Sequence, residues 1–215
     1  MNTYIKTVIL IMMVFSLVFS QKFALNVREI QPVAKKAVET YSKLVTEKNF
    51  QTMGLKSLDE KDKVMPGKPL KVFMVRLDQL QEYKAGTDPA SLLIGGDVVI
   101  YPLLIGEEVR AAVDLQKGKE KWEVTGIGSA NLAKSLFPAR QRAADLTKAD
   151  IASFAAVRIP ALNLLFLAFY SEDQLMLIPV FDDPANELKA GEAMPAAKVF
   201  ELILPAAKKH QDLPG

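Results

Sequence analysis

Residue types that commonly carry catalysis are scarce in this chain. Its 215 residues include no cysteine and a single histidine, His210, which follows Pro205 near the C-terminus. A serine or thiol hydrolase holds its histidine base in a cleft, and a zinc protease of the HExxH type needs two histidines. We therefore predict neither histidine-dependent catalysis nor a multi-histidine zinc site, and we expect His210 to begin a flexible tail.

Clusters of carboxylates offer a second kind of chemistry. Asp182, Asp183 and Glu187 lie within six residues, and grouped carboxylates bind hard cations such as calcium. The spacing lacks the DxDxDG pattern, and Asp-Pro sequences commonly end strands, so we predict a solvated turn here. The acids of Asp59–Lys63 alternate with lysines and indicate a surface loop. Catalysis by two carboxylates alone stays open as an alternative, because glycosidase-type chemistry needs no other side chain.

Gly126, Gly128 and Asn131 stand at the positions of a GxGxxG dinucleotide-binding fingerprint. Asparagine replaces the third glycine, and the preceding strand belongs to a predicted antiparallel meander rather than to the parallel βαβ unit that the fingerprint requires. We predict an ordinary strand exit here, with Ser129 capping the next helix. The sequence thus predicts no catalytic residue, no metal site and no cofactor.

Aromatic and basic residues are the candidates for a ligand or partner surface. Tyrosines line many binding grooves, and two arginines flanked by Lys134 and Lys148 form a basic stretch suited to anionic headgroups or an acidic partner. Core packing and a solvated helix face are the competing interpretations. Trp122 alternates in phase with Val124 and is predicted to be a core residue. The candidate surface residues are Tyr83, Tyr101, Tyr170, Arg140 and Arg142.

Hydrophobic periodicity divides the first half of the chain into a helix, a loop and a sheet. Apolar residues at three- and four-residue spacing predict an amphipathic helix over 32–48, begun by its proline. A solvated loop over 57–69, a strand over 70–77 and a short helix over 78–83 follow. Between residues 97 and 127, apolar and alternating segments separated by turns predict three antiparallel strands in a meander.

The second half alternates helical and strand patterns. Residues 129–144 are predicted to be helical with a break near Phe137, because Pro138 removes a backbone donor. Two apolar runs within 162–181, separated by a charged turn, predict a buried hairpin, and a last helix over 195–204 is expected to end at the following proline. The predicted fold class is α+β, an N-terminal helix packed on an antiparallel meander sheet, followed by further helices and a buried β-hairpin.

The first twenty residues indicate where the protein works. Lys6 precedes an apolar run from Thr7 to Phe19, which is shorter than the roughly twenty residues of a membrane-spanning helix. Small or tolerated residues precede Gln21, so we predict a Sec-type signal peptide over 1–20 that is cleaved, with an uncleaved anchor as the alternative. Because the chain has no cysteine, a periplasmic location fits better than a disulfide-rich secreted domain.

Composition describes a globular body without a strong electrostatic field. Half of the residues (50%) are hydrophobic, and the net charge is +2 with acids and bases interleaved. Such a chain lacks the basic field that attracts nucleic acid. We predict a single domain over 21–215, with any subdivision near 128–150, no transmembrane span after cleavage and no nucleic-acid partner.

These observations lead to three function hypotheses. The first is a secreted or periplasmic, non-enzymatic binding or protein-interaction module, whose partner is an unknown envelope protein. The second is a carrier of a small apolar ligand or lipid, since the apolar runs are dense enough to line a cavity. The third is a hydrolase that uses carboxylates only.

Overall fold

The computed structural model describes Phe23 and residues 25–210. The predicted signal peptide over 1–20, its cleavage before Gln21 and the last five residues lie outside this part of the chain. The helices are α1 Val27–Leu44, α2 Leu77–Gln81, α3 Ala130–Thr147 and α4 Ala196–Lys209. The strands are β1 Met65–Pro66, β2 Leu70–Met74, β3 Ile94–Ile105, β4 Glu108–Lys117, β5 Trp122–Gly128, β6 Ala155–Ile159, β7 Leu164–Ser171, β8 Gln174–Pro179 and β9 Met194–Pro195.

All nine strands belong to one sheet. Its order is β5-β4-β3-β2-β6-β7-β8-β9, with the short strand β1 paired to the end of β3. Only β2 and β6 are parallel, and every other pair is antiparallel. The α+β class, the meander β3-β4-β5 and the hairpin β7-β8 are therefore confirmed. The arrangement differs from the prediction in that meander and hairpin are two arms of the same sheet.

The same order of elements occurs twice along the chain. Strands β2, β3, β4 and β5 are followed by α3, and strands β6, β7, β8 and β9 are followed by α4, although α2 lies between β2 and β3 and only a 3-10 turn, Pro160–Leu162, lies between β6 and β7. Each set runs outward from the central parallel pair β2-β6. The two halves thus have equivalent hairpins, β3-β4 and β7-β8, each closed by a turn of two residues.

Helices cover both faces of the sheet. On β6, neighbouring residues point to opposite sides, and Ala155 belongs to a core formed with α2 and α4 while Ala156 belongs to a core formed with α3. On the face of α2 and α4, α1 covers the other arm of the sheet, β3 to β5. The long apolar runs predicted as strands are buried in these three cores, as expected for strands covered on both faces.

Three helices run through prolines that the sequence pattern treats as boundaries. Helix α1 starts at Val27 and contains Pro32, α3 continues through Pro138, and α4 continues through Pro205 to Lys209. The predicted break at Phe137 is therefore wrong. The reason is tertiary packing, because the residues around Pro138 are buried against the sheet and this burial outweighs the one backbone hydrogen bond that proline removes.

Other differences concern short elements. The sequence prediction missed β6, whose five residues give too short a pattern, and the predicted loop over 57–69 contains a 3-10 turn at Leu58–Lys63 and strand β1. The tail prediction for His210 is wrong at that residue. Its backbone N–H donates to Ala206 and Ala207 at the end of α4, and its carbonyl accepts a hydrogen bond from Gln81 on α2.

Candidate interaction groove

A groove of about 1420 Å³ lies between α3 and the outer ends of β3 and β4. It is much larger than two other depressions, of about 330 and 250 Å³, on the opposite half of the sheet. Its floor is apolar, formed by Pro102, Leu104 and Val109 of the hairpin, and Phe137 and Ile151 form apolar parts of the wall. This volume exceeds the ~300–1,000 Å³ of pockets that enclose a drug-sized ligand. The groove therefore has room for a segment of polypeptide.

Arg140 holds the inner wall of the groove together. Its side chain is almost fully buried, at 2% exposure. Nε and Nη2 donate to the carbonyl of Ile151 at 2.9 and 2.5 Å, and Nη1 donates to the carbonyl of Lys68 at 3.0 Å. Burial lowers the pKa of Arg140 to about 10, although the charge of Asp150 acts in the opposite direction. Arg140 thus joins α3 to two loops that border the groove.

Arg110 holds the opposite wall. The residue is 6% exposed, and its Nη2 donates to Glu60 Oε1 at 3.0 Å while Nη1 donates to Glu108. The backbone N–H of Lys56 donates to Glu60 at 2.7 Å, which is the main cause that lowers the pKa of Glu60. Among the described residues, Arg110 Nε has no partner. This network fixes the 3-10 turn around Glu60 against β4.

The chain crosses the floor of the groove closely at Gly67. Its N–H donates to the carbonyl of Pro102 at 2.8 Å. A Cβ at this position would lie 2.7 Å from Leu104 Cδ1 and 2.9 Å from Pro102 Cγ. Only glycine leaves those two floor residues in place, so the shape of the floor depends on this position.

The exposed charged residues of the groove are nearly balanced. Five cations and four carboxylates line it in addition to the two buried arginines. Lys56 and Glu108 form an ion pair at 2.8 Å, with both side chains more than half exposed. The exposed cations are Lys56, Lys68, Lys134, Arg142 and Lys148, and the exposed carboxylates are Glu107, Glu108, Asp145 and Asp150.

Two large apolar side chains stand exposed beside this groove. Leu146 on α3 is 74% exposed. It follows Asp145, which lines the groove, but its own side chain projects from the helix away from the lining residue Gln141. Met65 on β1 is 61% exposed and pairs with Leu104 of the floor, so the two side chains point to the same face. Among the described residues these are the two most exposed large hydrophobic side chains. Their position beside an apolar floor resembles the anatomy of a protein interface.

The other half of the sheet has an equivalent place, and there the chain covers part of it and leaves a depression of about 250 Å³. In the first half, Leu104 pairs with Val109 next to the turn. In the second half, Tyr170 occupies the same place and pairs with Leu175. The ring of Phe23 packs on Tyr170 with centroids 5.3 Å apart, and Phe23 is buried. An apolar side chain from a distant part of the chain thus covers one hairpin end, while the groove leaves the other open.

The structure separates the five candidate surface residues. Arg140 and Arg142 both line the groove, the first buried and the second exposed. Tyr83 packs edge-on against Phe200 in the core, and Tyr101 lies buried under α1 with its hydroxyl unpaired among the described residues. Tyr170 is half-buried in the contact with Phe23, far from the groove along the sheet.

Sequence reasoning missed Arg110, Leu146 and Met65. Arg110 falls on the polar phase of an alternating strand, and the only signal for its burial is the acid two residues before it, Glu108. Leu146 reads as one more apolar position of α3, because the pattern does not show which face of the helix the sheet covers. Trp122 is buried under α1 as predicted, whereas its neighbour in phase, Val124, is partly exposed on the edge strand β5.

The other candidate chemistries find no assembled site in the described part of the chain. No group of three metal-ligating side chains is found among the described residues. Asp182 and Asp183 bind the backbone N–H of Ala190 and the side chain of Asn186 within a turn, as expected. Gly128 ends an antiparallel edge strand, and Ser129 at the start of α3 is left-handed (φ 45°) and makes no side-chain cap.

No protein-family model, curated protein or solved structure matches the chain. Within the described residues, no helix is long and apolar enough to cross a membrane.

Proposed function

We propose that the protein is an extracytoplasmic, non-enzymatic interaction module that binds another polypeptide in the groove beside α3. The observation that carries the proposal is an apolar floor bordered by two exposed apolar residues, Met65 (61%), which pairs with Leu104 of the floor, and Leu146 (74%), which lies on the helix that forms one wall. Burying such side chains is worth roughly 1.5–3 kcal/mol each. Arg110 and Arg140 support this role by fixing both walls before a partner arrives, which lowers the cost of ordering the site on binding.

The described acid whose pKa is raised gives no support to the carboxylate-only hydrolase. Asp114 on β4 is the described carboxyl group whose pKa is raised, by burial, and its Oδ1 has no partner among the described residues. The charge that acts on it is that of Arg158, which opposes the shift. A carboxylate mechanism pairs two acids across a scissile bond, and Asp114 has no such second acid acting on it.

A carrier of a small apolar ligand is the competing proposal. The apolar runs that suggested it pack into the three cores, so a ligand of this kind would also occupy the groove. The two proposals differ in what occupies the groove. A fatty acid crosslinked in the groove would add only its own small mass to the chain, whereas a protein partner would add the mass of a protein.

Site-specific photo-crosslinking in cells tests the proposal. The full chain carries p-benzoylphenylalanine at Gln141 or Lys134, both exposed on the groove side of α3, or at the control positions Lys36 on α1 and Lys198 on α4. We expect a discrete protein adduct from the groove positions and none from the controls. Equal adducts at all four positions, or none at the groove, would contradict the proposal. A lipid-sized adduct at the groove alone would favour the carrier.

The location is tested separately. If the signal peptide is removed, the mature chain begins at or near Gln21 and fractionates with soluble envelope proteins. N-terminal sequencing decides this, and Met1 retained in a carbonate-resistant membrane pellet would contradict it.

A further inference from the structure

We infer that the polypeptide occupying the groove is a second copy of this chain, so that two copies form a symmetric dimer through α3. The inference rests on the proposed function, because it names the partner of the same groove. It is argued from three features of the described residues: the balance of charge around the groove, the position of Leu146, and the way in which the chain covers the equivalent place in its other half.

The charge around the groove fits a partner of the same composition. The exposed lining has five cations and four carboxylates. A strongly acidic partner would leave the carboxylates facing like charges, and a strongly basic partner would do the same to the cations. A partner of nearly balanced charge, such as a second copy of this chain with its net charge of +2, avoids both conflicts.

Leu146 and the groove floor supply the apolar part of such an interface. Leu146 projects from the helix that forms one wall, at 74% exposure, while the floor of Leu104 and Val109 lies on the other side of that wall. Across a two-fold axis, a side chain that protrudes from the wall of one copy can meet the groove of the other. In a two-fold dimer, Leu146 of each copy enters the groove of the other, and Met65 borders the contact.

The second half of the sheet shows that this kind of place accepts an apolar side chain from a polypeptide. Tyr170 and Leu175 take the positions of Leu104 and Val109 in the equivalent hairpin. There, Phe23 from the N-terminal part of the chain packs on Tyr170 and Phe73, with centroid distances of 5.3 Å to both rings. Among the described residues, Phe23 packs on one hairpin end and no residue before Lys56 lines the groove at the other. A second copy supplies an apolar side chain there.

Sedimentation velocity of the purified mature chain tests the dimer. We expect the mass to rise from one to two copies over about 1 to 100 µM, the range that brackets micromolar affinity. Leu146→Glu should weaken this association about tenfold or more, because it places a charge in the apolar contact. The matched control is Leu44→Glu, which changes a half-exposed leucine (50%) in the last turn of α1 on the opposite face. We expect this control to associate like the unchanged chain.

The absence of cysteine allows a second measurement of geometry. Gln141→Cys on α3 and Lys36→Cys on α1 each accept one spin label, and both residues are exposed. If the dimer forms through α3, the two spin labels at position 141, one on each copy, lie a single short distance apart. The two labels at position 36 then lie farther apart or beyond the measurable range. The reverse order would overturn the α3 interface even if the chain is dimeric.

A chain that stays monomeric throughout the series, or that dimerises equally well with Leu146→Glu, would overturn the inference. A different result would contradict the proposed function, namely that crosslinking in cells gives no adduct specific to the groove positions. A monomeric chain that still forms a groove adduct with a different protein therefore refutes the dimer and leaves the interaction module standing.

Discussion

At the scale of residues, the two buried arginines shape the groove in different ways. Arg110 is neutralised by Glu60 and Glu108, whereas Arg140 is satisfied by two backbone carbonyls and by no carboxylate in hydrogen-bond contact within the described part of the chain. A buried guanidinium whose hydrogen bonds all go to backbone carbonyls loses them when the loops that carry those carbonyls shift. The integrity of the groove thus depends on Arg140 more than on the exposed cations around it.

Replacing Arg140 should destabilise the fold. Arg140→Met keeps much of the volume but leaves the carbonyls of Lys68 and Ile151 without their donor. We expect a loss of about 2–4 kcal/mol in the free energy of unfolding, measured by urea titration. Arg142→Met, at an exposed position of the same helix, is the control and should cost less than about 0.5 kcal/mol. Equal effects of the two changes would contradict the role given to Arg140.

Tyr41 should make the protein sensitive to alkali. Burial and the charge of Glu60 raise its pKa from 10.0 to about 12, against the opposing effect of Arg110. In the unfolded chain the phenol loses its proton first, so its stabilising contribution is complete below pH 10 and disappears as the pH rises to about 12. We expect the unchanged chain to lose about 2 kcal/mol more over this window than Tyr41→Phe does.

Comparing the unchanged chain with Tyr41→Phe isolates the contribution of the Tyr41 hydroxyl. Arg140 titrates in the same window with the opposite sign, because its folded pKa is lowered to about 10 and folding therefore becomes more favourable as it loses its proton. Arg140 is present in both proteins, so its contribution cancels in the difference. Urea titrations at several alkaline pH values give, for each of the two proteins, the slope of the free energy of unfolding against pH. Parallel slopes would show that Tyr41 is not buried as described.

At the scale of elements, strands were more predictable than helix ends. The meander and the hairpin follow from alternation and from turn residues, which are local signals. The helices were located but their ends were misjudged, because Pro32, Pro138 and Pro205 lie inside them. Whether a proline ends a helix depends on how much apolar surface the following turn buries, and that is a property of the tertiary structure.

Pro138 offers a direct test of this interpretation. Because α3 is continuous, Pro138→Ala restores a backbone N–H that can donate to the carbonyl of Lys134. We expect a gain of about 1–2 kcal/mol, the helix-propensity gain less the entropy that proline removes from the unfolded chain. Pro160→Ala is the control, since Pro160 stands in the first turn of a 3-10 helix, where proline is favourable. A loss of stability with Pro138→Ala would indicate a real break in the helix.

At the scale of the whole molecule, the sequence does not reveal that two halves share one sheet. Two similar segments, Asp97–Pro102 and Asp173–Pro179, hint at an internal repeat, but their spacings differ by one residue and chance is the stronger explanation. In the structure the first lies on β3 and the second runs from the hairpin turn into β8, which are not equivalent strands. The parallel pair β2-β6 joins residues about eighty positions apart, and nothing in either local pattern specifies that contact. The equivalence of the hairpins becomes visible only from the register.

The groove could not be predicted from the sequence for a related reason. Arg140 and Arg142 were predicted from the sequence to form a basic stretch, and both line the groove, Arg140 buried and Arg142 exposed. Leu104, Val109 and Met65 come from other elements, and only the pairing of β1, β3 and β4 brings them to the same surface. A surface made from four separate segments has no signature in any one of them.

Oxidation of two methionines tests most directly whether another polypeptide covers the groove. Met65 at the groove and Met74 at the far end of β2 are both exposed, at 61% and 45%, and both lie on strands. Dilute peroxide converts exposed methionine to the sulfoxide, which peptide mass spectrometry quantifies at each position. The reference is the dilute purified chain carrying Leu146→Glu, and the sample is the unchanged protein in intact envelopes. We expect the oxidation rate of Met65 relative to Met74 to fall severalfold in the envelopes. An unchanged ratio would mean that the groove stays open to solvent where the protein works, and would contradict its role as a binding surface.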